Sequence, residues 1–295
     1  MRRAIAILAL LALAGLASGQ SIGLSVSTQN NPFFVSLQEG AQAAADAAGA
    51  NLITVDAQDN VSKQVSDIED LIVQGVDVII INPTDSAAVV TAVAQANGAG
   101  IPVITVDRAS DGGEVAFHIA SDNVAGGFMA GEYLCERLGG EGLAVELEGI
   151  PGASAARDRG AGFNEYMTEN CQGVEIIARQ TANFDRAQGL SVMENILQAQ
   201  AEIDGLFAHN DEMALGALQA IQGTGRDIVV VGFDATPDAV QAVEECRMAA
   251  TVAQQPELMG QLSVEQALEI AGGAQVPAET EYLPVDLQLV VNEEC

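Results

Sequence analysis

Residues 76–85 read Val76-Asp77-Val78-Ile79-Ile80-Ile81-Asn82-Pro83-Thr84-Asp85. Four consecutive β-branched residues leave no polar face, so Val78–Ile81 reads as a strand covered on both sides. It must stop at Asn82-Pro83, because proline cannot donate to a strand ladder and keeps its predecessor out of helical geometry. A strand of this kind belongs to a parallel sheet with helices on each face.

The flanking sequence repeats the unit. Apolar strands read at Ile22–Ser27, Leu52–Asp56, Val76–Asn82 and Ile101–Asp107. Between them run helix-length segments Phe33–Ala48, Ser62–Gln74 and Ser86–Ala99, each followed by a glycine suited to end a helix (Gly49, Gly75, Gly100). The alternation predicts βαβ units with right-handed crossovers. It then begins again, with strands at Val115–Ala120, Leu143–Glu148, Val174–Arg179, Gly205–Ala208, Ile228–Phe233 and Met248–Ala253. Helical segments Asp122–Leu138, Ala155–Asn170, Arg186–Ala199, Glu212–Gly223 and Pro237–Cys246 separate them. A helix at Pro256–Ala271 and one apolar run, Tyr282–Val291, close the chain. So many strands exceed one simple sheet; the expected fold is α/β, two doubly wound parallel-sheet lobes.

The N-terminus reads as an address rather than as structure. Arg2 and Arg3 precede the apolar run Ala4–Leu13, and Ala17-Ser18-Gly19 offers a small-residue cleavage site. Residues 1–19 are therefore expected to be a cleavable export signal, and the location periplasmic. A membrane anchor needs about 20 apolar residues, and this run gives way sooner to Gln20-Ser21. Without Arg2 and Arg3, nine basic residues face 41 acidic ones, and Lys63 is the only lysine. That charge repels nucleic acid and anionic lipid. The acids are scattered, no D-x-D-x-D-G calcium loop occurs, and the cysteines lack zinc-site spacing, so no metal or cofactor is expected. Cys135, Cys171, Cys246 and Cys295 form an even set in an exported chain, which predicts disulfides; three pairings are open.

Ligands of open α/β sheets bind beyond the carboxyl ends of the strands. At those ends lie Thr28–Phe34, Asn82–Asp85, Asp107-Arg108, Phe184–Arg186, His209–Glu212, Phe233-Asp234 and Gln254-Gln255, with Arg157 and Arg159 near a helix start. The set holds carboxylates, guanidinium groups, amides and aromatic rings but no obvious nucleophile. It matches a sugar: hydroxyls around the edge need acceptors and donors, and the C–H faces need rings to pack on.

The segments NNPFFVSL (30–37), INPTDS (81–86), PVITVDR (102–108), HIASDN (118–123), SAARDRG (154–160), NDEMALGAL (210–218), VGFDATPD (231–238) and PVDLQLVV (284–291) resemble the type I periplasmic sugar-binding protein family. The order is kept along the whole mature chain, and the likeness is to the ribose-binding branch. It implies sugar contacts at Asn31, Phe33, Phe34, Asp107, Arg108, Arg159, Phe184, Asn210, Asp234 and Gln254, with Asn82 close by. It implies three hinge crossings, near 121–122, 254–255 and 286–287. The lobes are then 20–121 with 255–286, and 122–254 with 287–295. It also implies a membrane permease of an ABC importer as partner, leaves a chemoreceptor open as another, and suits a monomer. On this lobe assignment all four cysteines fall in the second lobe, and the expected pairs are 135–171 and 246–295.

Blander roles compete for the same residues. Phe33 and Phe34 suit a core, Asp107 and Asp234 suit helix caps, and Arg159 suits a surface pair with Asp158 or Glu165. His118 reads as structural and His209 as a support beside the site. Two other function classes compete. A sugar-responsive repressor would carry a DNA-reading helix-turn-helix where the export signal stands. A glycosidase using Asp107 and Asp234 as paired carboxylates conflicts with the neighbouring arginines. Non-enzymatic capture of a monosaccharide, D-ribose first, is the expectation; another pentose or hexose, or a furanosyl signalling molecule, is the alternative.

Overall fold

The computed structural model describes residues 19–295, so the export signal expected over residues 1–19 lies outside the described residues apart from Gly19. Two six-stranded sheets organise the chain. The first lobe opens with β1 (Ser21–Val26), α1 (Pro32–Ala48), β2 (Asn51–Asp56), α2 (Val61–Gln74), β3 (Val78–Ile81), α3 (Val90–Gly98), β4 (Val103–Val106) and β5 (Phe117–Ser121). The second contains α4 (Asn123–Arg137), β6 (Glu141–Glu148), α5 (Ser154–Asn170), β7 (Gly173–Thr181), α6 (Arg186–Ala199) and β8 (Gly205–Ala208). It continues through α7 (Asp211–Gln222), β9 (Val229–Asp234), α8 (Pro237–Glu244) and β10 (Ala250–Ala253). The chain returns to the first lobe with α9 (Pro256–Ala271) and β11 (Glu281–Val285), then ends in the second with β12 (Gln288–Val291).

The sheet orders β11-β5-β4-β3-β1-β2 and β12-β10-β9-β8-β6-β7 repeat one plan. β3 shows why its sequence has no polar face. Val78 and Ile80 join the core under α1 and α9, while Ile79 and Ile81 join the core under α2 and α3. In the second lobe Leu206 and Ala208 face the α6–α8 side and Phe207 faces α4 and α5. All seven of these residues are fully buried.

The terminal apolar run differs from the single element expected. It divides into β11 and β12, which lie in different sheets because the third crossing falls between them. The second sheet is also not wholly parallel: β12 pairs antiparallel with β10. The reason is direction. β10 ends at the crossing, whereas β12 starts there, so the two must run oppositely; β11 ends at the crossing, as β5 does, and pairs with it in parallel. Ser86–Val89, expected as the start of a helix, is a turn ahead of α3.

The bridges are Cys135–Cys171, joining the ends of α4 and α5, and Cys246–Cys295, joining the end of α8 to the C-terminus. These are the expected pairs, and both lie within the second lobe.

Candidate functional site

The carboxyl ends of the two sheets face each other across a cleft, and the lobes touch there. Ser86 N–H donates to Gly152 O at 2.9 Å and Ser154 N–H to Ser86 Oγ at 3.1 Å. Ala109 N–H donates to Ser154 Oγ at 2.8 Å, and Arg157 pairs with Asp111 at 2.7 Å. This is a closed arrangement. It brings together a small pocket lined by Asn31, Phe33, Phe34, Asp107 and Arg108 from the first lobe and Ala155, Arg159, Phe184, Asn210 and Asp234 from the second. Of the expected residues, only Asn82 and Gln254 stand back from its wall.

Each side chain arrives for a local reason. Asn31 and Asn210 cap α1 and α7, their Oδ1 atoms accepting from Phe33 and Met213 N–H at 2.9 and 3.0 Å. The amide NH2 of Asn210 also reaches Phe184 O at 3.2 Å. Capping thus belongs to the two asparagines and not to Asp107 or Asp234. Asp107 follows β4 and Asp234 ends β9, with φ of 63° and 122°, and Phe184 has φ 60°. Such backbone is costly for a side-chain-bearing residue, by about 1–3 kcal/mol each, and clusters at ligand sites. Phe33 and Phe34 fill both proposed roles. They are buried in the first-lobe core and also wall the cavity, their rings edge-to-face at 5.2 Å.

The charges are balanced and buried. Arg159 donates through Nε to Asn123 Oδ1 at 2.8 Å, through Nη1 to His209 O at 2.6 Å, and meets Asp234 Oδ1 at 3.4 Å. Its guanidinium lies 3.8 Å over the Phe233 ring. The surface pairing with Asp158 or Glu165 is absent among the described ion pairs, and Arg159 is buried. Arg108 reaches across the cleft, 5.0 Å from the Phe34 ring and 5.1 Å from Phe184, with its Nε 3.7 Å from Asp107 Oδ2.

Behind this wall, Asn82 donates to Asp107 Oδ2 and Val106 O, both at 3.1 Å. Gln254 donates to Asp234 Oδ1 at 2.8 Å. These two fix the carboxylates and need no place in the wall. Arg108 Nε and Gln254 Oε1 are buried without a hydrogen-bond partner. Buried polar groups are normally paired, so these two atoms are unused bonding capacity beside the cleft.

Burial pushes the Asp234 carboxyl up to about 7, against the lowering effects of Arg159 and Gln254. Asp107 is raised by burial too, opposed by Arg108, Arg159 and Asn82. The pocket therefore offers acceptors whose charge is incompletely satisfied by protein, opposite guanidinium forks that cannot lose theirs. That suits a neutral polyol with donor hydroxyls and apolar faces.

Asn123, Ala155 and the cross-cleft contacts were not foreseen. Asn123 follows the Asp122 cap as one more residue of a helix first turn, and a small alanine carries no signal. Ser121-Asp122-Asn123 in the HIASDN segment marked the place but not the part played.

A family model described as the periplasmic binding protein domain matches residues 22–275. The chain is 53% identical over 256 residues to the ribose import binding protein of Bacillus subtilis, covering 87% of this chain and 83% of that protein. Among solved structures, the Caulobacter myo-inositol binding protein bound to myo-inositol superposes with TM-score 0.88 at 32% identity over 95% of each chain. An ABC transporter periplasmic solute binding protein from Actinobacillus succinogenes with bound D-allose gives 0.85 at 32%, covering 93% of this chain and 98% of that one. The shared fold, the closed cleft and the matching family model place the chain in the periplasmic binding protein domain family.

Proposed function

We propose that this protein captures D-ribose between its lobes and presents the closed, loaded form to an ABC importer. The observation that carries the reading is the cavity wall. It combines two arginines, two aspartates, two asparagines and three phenylalanines, drawn from both lobes and meeting in one pocket. The 53% identity to a ribose import binding protein supports ribose in particular. The family consists of solute-binding proteins for ABC transporters and not of enzymes.

In use, ribose lands on one lobe and satisfies half of its partners. Only closure brings the second set of hydroxyl partners and the Phe184 ring into contact, so the sugar's extra affinity for the closed form shifts the population toward it. We place the lobes at 20–121 with 255–286 and 122–254 with 287–295, take residues 1–19 as a cleaved export signal, and read the protein as a periplasmic monomer. The acidic surface favours basic residues on the permease, or on a chemoreceptor that reads the same closed form.

Calorimetry against a sugar panel tests this. Ribose is expected to bind with Kd near 1 μM or tighter, about −8 kcal/mol. A different sugar binding a hundredfold more tightly would remove ribose and leave the fold standing. The bound myo-inositol and D-allose of the structural relatives make another pentose, a hexose, a cyclitol or a furanosyl compound the reading to beat.

A further inference from the structure

One buried side chain beside the cavity bears on two residues of its wall. His209 follows β8, precedes Asn210 and is 1% exposed. Its carbonyl oxygen accepts from Arg159 Nη1 at 2.6 Å, closer than Asp234 at 3.4 Å, so the firmest restraint on that nitrogen is His209. Its ring works at both nitrogens. Gly149 N–H donates to Nδ1 at 3.3 Å, which leaves Nε2 carrying the proton and donating to Glu146 Oε1 at 2.9 Å.

The partners of that ring lead back to the cavity. Gly149 backs the Phe184 ring so closely that a Cβ there would fall 2.1 Å from a ring carbon. Gly160, the residue after Arg159, lies against the imidazole, where a Cβ would come within 3.1 Å of Cε1. Glu146 is fully buried on β6 and also accepts from Asn164 Nδ2 at 3.1 Å and Arg179 Nε at 2.5 Å. Burial pushes its carboxyl up, but the bonds from His209, Asn164 and Arg179 outweigh this and hold it below the usual range. The ring is thus bonded to a carboxylate, the stronger kind of hydrogen bond.

We propose that His209 is a positioning residue for the sugar cleft: its ring ties the end of β6 to the end of β8, and thereby fixes Arg159 and Phe184 where the ligand meets them. It does not line the cavity, so it acts through those two residues. The proposal rests on the sugar-binding reading above.

Two substitutions separate positioning from bulk stability. His209→Leu keeps an apolar body and removes both ring hydrogen bonds. His209→Gln retains an N–H near the Nε2 position for Glu146. Removing a hydrogen bond to a charged group is expected to weaken D-ribose binding by roughly tenfold in His209→Leu. The glutamine variant should recover to within about threefold of wild type, with the unliganded proteins compared by thermal unfolding. Wild-type affinity in a folded His209→Leu protein overturns the proposal, as does a folded His209→Gln protein no better than leucine. If His209→Leu fails to fold, His209→Asn takes its place, since it can accept from Gly149 but cannot reach Glu146; unchanged affinity in that variant is equally fatal. Imidazole ¹⁵N shifts of unliganded protein supply a ligand-free check, made simple by there being two histidines. They should show His209 as the Nε2–H tautomer, and the other tautomer overturns the geometry. A wild type that ignores ribose but binds another panel sugar sinks the ribose assignment alone, and the variants are then compared with that sugar.

Discussion

At Asp234 the cost of burial and the purpose of the cleft meet in one carboxyl. Its raised value, about 7 against an ordinary 3.8, means the folded protein retains a proton that the unfolded chain releases near pH 4. That contribution to stability is complete below about pH 4 and is lost as pH rises through about 7. A sugar hydroxyl donates to the ionised form, so binding should release the proton. Affinity is then expected to be about tenfold higher at pH 8 than at pH 6, with a binding enthalpy that depends on the buffer's own ionisation. Asp234→Asn should flatten this profile. Arg159→Ala is harsher, because it strands Asp234 and Asn123 together; breaking a buried charge pair costs about 3–5 kcal/mol. Calorimetry should detect no ribose binding, and retained micromolar affinity would remove Arg159 from the site. Residues of this kind were legible in the sequence only as an ensemble. Asp107, Arg159 or Gln254 alone has an ordinary surface or capping role. Their shared position at strand and helix ends, with the resemblance, singled them out.

The elements were more readable than their junctions. Strands such as Val78–Ile81 declare themselves because both faces are buried, and Gly49 and Gly75 end α1 and α2 with φ of 69° and 71°, as glycine permits. What periodicity leaves out is how closely helices approach. On α4 and α5, a Cβ at Gly127 would lie 2.0 Å from Arg159 O, and one at Gly162 would lie 1.9 Å from Val124 O. The two helices touch backbone to backbone, and the sequence shows only scattered glycines. Gly162→Ala must therefore separate α5, which carries Arg159, from α4. Overpacking of this kind costs about 1–3 kcal/mol, and both the thermal midpoint and ribose affinity should fall. A variant as stable as wild type would mean that the pair separates freely. The antiparallel pairing of β12 escaped notice for a similar reason: strand direction is set by where the chain crosses, and no residue in QLVV encodes it.

For the molecule as a whole, the two halves are joined covalently only by three crossings and non-covalently by the cleft contacts. The relative placement of two separately cored lobes has no periodic signature, which is why Ser86, Asp111, Ser154 and Arg157 went unremarked as partners. Ser154→Ala removes the acceptor for Ala109 N–H, and a lost bond of this type costs about 0.5–1.5 kcal/mol. Ribose should therefore dissociate severalfold faster with little change in unliganded stability, as stopped-flow release would show. The bridges act elsewhere. Both lie in the second lobe, and each contributes about 2–4 kcal/mol. Reduction should lower the unfolding midpoint without changing ribose affinity under native conditions; a weakened affinity would show that the bridges shape the cleft. The direction of β12 has a practical sequel. β1 begins, and β12 ends, on the side of its sheet remote from the cleft, so Ser21 and Val291 occupy opposite poles of the molecule. Rotation about the crossings swings those poles most, and a dye pair attached there would report sugar uptake by energy transfer while leaving every contact residue native.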